Sequence, residues 1–202
     1  MEKNNDVNQS NFWESRYKKE EIGWDLGAET PVFTALSDTL DPGKVCILGC
    51  GNGYDAILFS KKGFSVTAVD FAETPIHNLE TNARSLSLSI ETIKKDIFDL
   101  TPDYSSQFDY IIEQTCFCAI DPLKREKYSN LVYDLLKVGG KLIGLWMPLD
   151  KDIDEGGPPF GVKEDEIKTL FSNKWKITAD YFPNQSIEAR KGREKLIVFE
   201  KL

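Results

Sequence analysis

Residues 45–70 read VCILGCGNGYDAILFSKKGFSVTAVD, and the order of chemistry in this stretch decides the fold. Val45, Cys46, Ile47 and Leu48 form a short apolar run without polar alternation, the pattern of a parallel strand covered on both faces. Gly49, Gly51 and Gly53 follow at every second position. A chain that turns sharply from strand into helix uses residues without a Cβ, and such a turn brings backbone N–H groups close to a ligand at the helix N-terminus. Residues 55–62 predict a short helix with Ala56, Ile57 and Phe59 toward a sheet, and Gly63 suits the position just past its end. Residues 64–69 predict a second strand, with Asp70 at its carboxyl end. In an open α/β sheet a carboxylate there can accept two ribose hydroxyls. The stretch reads as a nucleoside-binding unit; the plainer alternative is a tight turn in a domain that holds no cofactor.

Working outward, the chain alternates between helical and strand patterns. Residues 1–10 are polar and expected to be disordered, leaving one domain over 11–202. Within it, 11–40 form an N-terminal arm: a helix over 12–21 with Trp13 and Tyr17 on one face, a turn carrying Trp24, and a helix over 32–40 begun by Thr30-Pro31. The arm reads either as packing or as an aromatic lid. A third strand is predicted at 90–94, followed by Asp96 and Ile97, an acid that could take an adenine amino group beside an apolar side chain, or else a plain loop acid. Residues 108–115 predict a fourth strand, with Gln114 to Ile120 (QTCFCAI) at its carboxyl end, where ligands of such sheets bind. A helix over 121–137 ended by Gly139-Gly140, a strand over 141–147, a long loop over 148–161, a helix over 164–171 and a closing antiparallel pair over 175–182 and 196–201 complete the pattern. The expectation is one doubly wound, mostly parallel α/β sheet of about seven strands with helices on both faces.

Composition narrows the class of partner. The 202 residues carry a formal net charge of −8 and a pI of about 4.8. That balance argues against a nucleic-acid backbone or an anionic membrane as partner. No apolar run approaches the ~20 residues of a spanning helix, and the polar N-terminus lacks a signal-peptide core, so a cytoplasmic protein is expected. The four cysteines, Cys46, Cys50, Cys116 and Cys118, form no C-x-x-C pair and read as reduced buried thiols. His77 lies in a helical stretch and reads as solvated, and no metal is expected. Ser186 to Lys195 (SIEARKGREK) is a basic patch on an acidic chain: a solvated hairpin tip, or a segment that turns Arg190 into a pocket.

A dinucleotide fold wants G-x-G-x-x-G, and here Tyr54 stands where its third glycine would be. The G-x-G-x-G form resembles motif I of class I S-adenosylmethionine-dependent methyltransferases. Further stretches extend the likeness over nearly the whole chain: WESRY (13–17), GWDLG (23–27), Thr30-Pro31, LGCGNGYD (48–55), Val69-Asp70, Lys95-Asp96, FCAI (117–120), GGPPF (156–160) and RKGREKL (190–196). Together they resemble the thiopurine S-methyltransferase superfamily, within it the halide/thiol methyltransferase branch. The resemblance implies a Rossmann-like methyltransferase domain, S-adenosylmethionine as cofactor with S-adenosylhomocysteine as product, and a small soft nucleophile such as a thiol, sulfide, halide or thiopurine as methyl acceptor. It implies that Trp13, Tyr17 and Trp24 close over the cofactor. Gly49, Gly51 and Gly53 would pass beside its methionine moiety, Asp70 would hold the ribose, Asp96 with Ile97 the adenine, and Cys50 and Phe71 would belong to the same cofactor site. Gln114 departs from the aromatic residue usual at its position, Tyr17 from a Trp, and Ile47 from the acid of most class I members. Trp24, Phe117, Trp146 and Phe160 are expected to line the acceptor pocket, with Arg190 drawing in an anion; no general base is assigned. A monomer is expected. A cofactor-binding module that regulates a partner, and a nucleotide-dependent oxidoreductase, remain the alternative functions.

Overall fold

Alternation along the strands sorts the interior into two layers. Described here is a computed structural model covering residues 6–202. Its first strand, β1 (Lys44–Leu48), turns Val45 and Ile47 to one side of the sheet and Cys46 and Leu48 to the other. Val45 and Ile47 pack with Val32 and Phe33 of α2 (Pro31–Ser37), Ala56 to Phe59 of α3 (Tyr54–Lys61) and Leu79 of α4 (Glu73–Ser85). Cys46 and Leu48 pack with Tyr128, Leu131, Val132 and Leu135 of α5 (Arg125–Leu135) and Ile167 of α6 (Glu164–Leu170). Helices thus cover both faces, as the uninterrupted apolar run of β1 requires.

The sheet has seven strands. β2 (Ser65–Asp70), β3 (Ile90–Lys94), β4 (Phe108–Gln114) and β5 (Leu136–Trp146) run parallel to β1, and β7 (Lys195–Lys201) joins β5 and β6 (Trp175–Tyr181) antiparallel. The order is β3-β2-β1-β4-β5-β7-β6, so the winding reverses between β1 and β4. That switch opens a crevice at the carboxyl ends of the strands.

Local departures from the expected elements have local causes. The arm helix, α1 (Ser10–Lys18), stops short of residue 21 because Glu20 takes φ 57, which no right-handed helix accommodates. Gly139-Gly140 does not separate helix from strand: it lies within β5, at a register shift opposite residues 108–110. Of the stretch expected to be disordered, residues 1–5 lie outside the described residues, and residues 6–9 turn directly into α1.

Candidate functional site

The glycine turn after β1 is built as its spacing demands. Gly49, Gly51 and Gly53 all have positive φ, at 63°, 54° and 79°. A Cβ on Gly49 would sit 3.0 Å from the Cys116 sulfur, and one on Gly53 would collide with Leu79 of α4. The turn therefore packs against both flanking elements and leaves the Gly49 backbone open toward the crevice.

Over the crevice lies a cavity of about 530 Å³, within the range of small-molecule sites. Nine of the residues singled out in the sequence line it: Trp13, Tyr17, Trp24, Gly49, Asp70, Phe71, Asp96, Ile97 and Arg190. Topology divides them. Asp70, Phe71, Asp96 and Ile97 follow β2 and β3, on one side of the switch. The wall on the other side follows β4 and β5 and precedes β7; it contains Cys118, Met147, Pro158, Pro159, Ile187 and Arg190.

Asp70 is 7 % exposed. Its Oδ1 accepts the Ala72 N–H at 2.9 Å and its Oδ2 the Gly51 N–H at 3.1 Å. Burial pushes its carboxyl up to about 6, while the N–H groups of Ala72, Gly51 and Phe71 act in the opposite direction. Each oxygen keeps a lone pair beyond the backbone bond it already accepts. The carboxylate can therefore fix the glycine turn and still accept hydroxyls from the cavity.

The arm roofs the cavity. Trp24 stands edge-on to Trp13 at 5.6 Å and to Tyr17 at 5.8 Å between ring centres. Four polar ties hold this roof to the sheet domain. Glu14 caps α4 from outside: its Oε2 accepts the N–H groups of Glu73 and Thr74, each at 2.9 Å. Its carboxyl sits down at about 2: partial burial works to raise it, but hydrogen bonds from Thr74 and Lys18 prevail. Asn52 of the glycine turn donates to Asp25 at 2.6 Å. Asp55 accepts both the N–H and the hydroxyl of Thr30. Arg190 Nη2 donates to the Trp24 carbonyl at 2.7 Å.

Seven expected site residues do not reach the cavity wall. Phe117 is buried edge-on between Tyr128 and Trp146. Trp146 is in the core, its indole N–H on the Ile197 carbonyl. Phe160 gives its backbone N–H to the Cys118 carbonyl while Pro158 and Pro159 take its place in the wall. Cys50, Gly51 and Gly53 shape the turn from behind Gly49, with Cys50 N–H on the Val69 carbonyl. Gln114 ends β4 off the wall, its buried Nε2 without a hydrogen-bond partner. Phe117 and Trp146 share a reason: a strand or turn places neighbouring side chains on opposite faces, and the apolar one goes to the core.

The sequence reading missed Glu113, which shapes the turn after β4. It is 1 % exposed; Oε1 accepts the N–H groups of Cys116 at 3.1 Å and Phe117 at 2.9 Å, and Oε2 accepts the Tyr128 hydroxyl. These bonds hold Thr115 at φ 61, an unusual conformation for a β-branched residue. Burial pushes the Glu113 carboxyl up to about 7 from an ordinary 4.5, with Tyr128, Phe117 and Cys116 acting in the opposite direction. A raised carboxyl favours the protonated folded state, so its contribution to stability is complete below about pH 4.5 and is lost as pH rises through 7. Thermal unfolding of wild type against Glu113→Gln should show the wild-type advantage shrinking across that window; a pH-independent difference would contradict it. The basic patch over 186–195 does bring Arg190 to the cavity, with Arg193; the sequence reading missed that Arg16 and Lys124 join them there, since residues so far apart in sequence give no linear signal.

The four cysteines are free, and among the described residues no cluster of three or more His, Cys, Asp or Glu side chains is arranged to hold a metal. Among the same residues no helix is long and apolar enough to cross a membrane.

A family model described as thiopurine S-methyltransferase matches residues 8–200. The chain belongs to this family. It is an S-adenosylmethionine-dependent S-methyltransferase. It is 31 % identical over 194 residues to a probable thiol methyltransferase 2 of Arabidopsis thaliana, covering 94 % of this chain and 84 % of that protein. To thiocyanate methyltransferase 1 of Brassica oleracea it is 31 % identical over 94 % of this chain and 84 % of the relative. A thiopurine S-methyltransferase of Aliivibrio fischeri is 29 % identical over 83 % of this chain and 84 % of its own length. Among solved structures, a 1,6-didemethyltoxoflavin-N1-methyltransferase of Burkholderia thailandensis, crystallised with S-adenosylhomocysteine, superposes with a TM-score of 0.77 at 20 % identity, over 96 % of this chain and 87 % of that one. An S-adenosylmethionine-dependent methyltransferase of Clostridium acetobutylicum gives 0.68 at 17 % identity, over 95 % and 98 %. These likenesses show the class I methyltransferase fold. The S-methyltransferase's cavity suits its methyl donor: Gly49 leaves room for close backbone approach, Asp70 offers acceptor oxygens, and aromatic rings roof the space.

Proposed function

We propose that this S-methyltransferase acts on a small soft anion, a thiolate, bisulfide or halide-like nucleophile, that enters the half of the cavity beyond β4. The observation that carries this is Arg190. It is 6 % exposed, it lines the cavity, and its Nη1 has no hydrogen-bond partner, with Glu194 4.0 Å away. Nη1 faces the Glu194 carboxylate and Nη2 the Trp24 carbonyl, and the cationic side chain in the cavity wall favours an anion. The surrounding wall of Cys118, Met147, Pro158, Pro159, Ile187 and Ala189 is apolar, which suits a soft nucleophile. The thiol and thiocyanate methyltransferases among its relatives support the same acceptor class.

The remaining roles divide along the cavity. Asp70 would accept the ribose hydroxyls, and Asp96 with Ile97 would hold the adenine; the Gly49 backbone would lie beside the methionine moiety. Bound S-adenosylmethionine supplies a sulfonium methyl open to in-line displacement. A thiol of pKa ~8.5 is a few per cent thiolate at neutral pH, and a halide carries no proton, so the reading requires no general base. Charge is lost as anion and cation meet, and a dry site favours that loss. Trp13, Tyr17 and Trp24 exclude water and present ring faces to a cation.

The test is a comparison of kcat/KM for bisulfide, thiophenol and iodide with that for a thiopurine. The small anions should lead by about tenfold or more, the scale on which pocket shape separates substrates. A thiopurine ahead of all three would reverse the assignment of the acceptor.

A further inference from the structure

The loop 148–161 and the turn after β4 form the two walls of the acceptor half, and one buried side chain holds both. Arg125, the first residue of α5, is 2 % exposed yet lies outside the cavity. Its Nη1 donates to both carboxylate oxygens of Glu166 on α6, at 2.9 and 2.7 Å. Its Nη2 donates to the Gly161 carbonyl at 2.9 Å. Its guanidinium lies 4.6 Å from the centre of the Phe117 ring. Gly161 is two residues from Pro159, and Phe117 is next to Cys118; Pro159 and Cys118 both line the cavity. Between these two grips the walls touch directly, through the Phe160 N–H on the Cys118 carbonyl at 2.7 Å. A Cβ at Gly161 would collide with the Lys151 backbone, so the loop closes on itself where Arg125 holds it.

We propose that Arg125 is a positioning residue that sets the shape of the acceptor half by fixing Gly161 and Phe117 to one guanidinium. The inference rests on the assignment of that half to the methyl acceptor. The planar fork is needed: one side chain must meet a carboxylate with one nitrogen, a carbonyl with the other and an aromatic ring with its face. A lysine at this position has a single point of donation and no plane. In Arg125→Lys the proline wall and the Cys118 wall should separate slightly, and misplacement of ~1 Å can cost on the order of 100-fold in rate.

The experiment measures the Kd of S-adenosylmethionine by calorimetry and steady-state constants for bisulfide and thiophenol in wild type and Arg125→Lys. The expected result is a cofactor Kd within about threefold of wild type, acceptor KM values raised about tenfold or more, and a changed kcat/KM ratio between the two acceptors. That ratio is independent of the amount of active enzyme, so general loss of stability leaves it unmoved. Unchanged acceptor constants, or a cofactor Kd that rises in step with acceptor KM, would overturn the proposal. If Arg125→Lys does not fold, Phe117→Leu removes one grip and Glu166→Gln weakens the ion pair that anchors the guanidinium, and both should show the same split at smaller size; its absence in both would overturn the proposal equally. A wild-type enzyme inactive on every soft anion would instead refute the acceptor assignment on which the inference rests.

Discussion

Asp70→Ala raises the Kd of S-adenosylmethionine by about 10- to 100-fold, because removing a charged acceptor from a hydrogen-bonded site costs ~1.5–3 kcal/mol. The carboxylate has two tasks, and a second variant tests its charge. Its backbone bonds to Gly51 and Ala72 shape the turn, and its remaining lone pairs face the cavity. Asp70→Asn keeps the size and one of the two backbone bonds, sets its NH2 against the other N–H, and removes the charge. It should fold and still bind weakly. Wild-type affinity should also fall as pH drops through about 6, since burial raises the carboxyl to that value and only the ionised form accepts from both hydroxyls. Asp70→Asn should show no such step. Calorimetry from pH 5 to 8 checks both, and an Asp70→Asn protein that binds as wild type does would confine Asp70 to the turn.

Deleting residues 1–24 lowers methyl transfer by about 100-fold or more while the seven-stranded sheet remains folded, because water then enters and the reactants lose their fixed geometry. The arm packs as its own cluster, with Phe12, Trp13 and Tyr17 against Ala72 and Ala119, apart from the two layers that cover the sheet. Losing it also removes Glu14 from the start of α4, so a modest fall in Tm accompanies the loss of activity. Trp24→Ala keeps that cap and should still lose most of the activity. Normal turnover by the truncated protein would reduce the arm to packing.

How much of this was legible in the sequence depended on distance along the chain. The β1–turn–α3–β2 unit could be read because its signals are local: an apolar run, three glycines, and an acid at a strand end. Asp70, Asp96 and Ile97 were placed at the cavity for the same reason, each following a strand of the parallel half. The arm aromatics were found because Trp13 and Tyr17 share a helix face. Phe117, Trp146 and Phe160 were misplaced because composition near a strand end does not say which face a ring takes; the core takes Phe117 and Trp146, and Phe160 lies half-buried off the wall. Glu113 and Arg125 were invisible for a different reason. A charged residue in the sequence reads as solvated, and only the fold shows Tyr128 over one and Glu166 beside the other. The oxidoreductase alternative fell with membership of a methyltransferase family, and with it the reading of the domain as a passive cofactor module.

The account's central claim is tested most directly by following labelled methyl from S-adenosylmethionine into bisulfide, with S-adenosylhomocysteine measured in parallel. The account predicts methanethiol and S-adenosylhomocysteine in equal amounts, at a rate that saturates with bisulfide. Tight cofactor binding with no label transferred to bisulfide, thiophenol or iodide would contradict it.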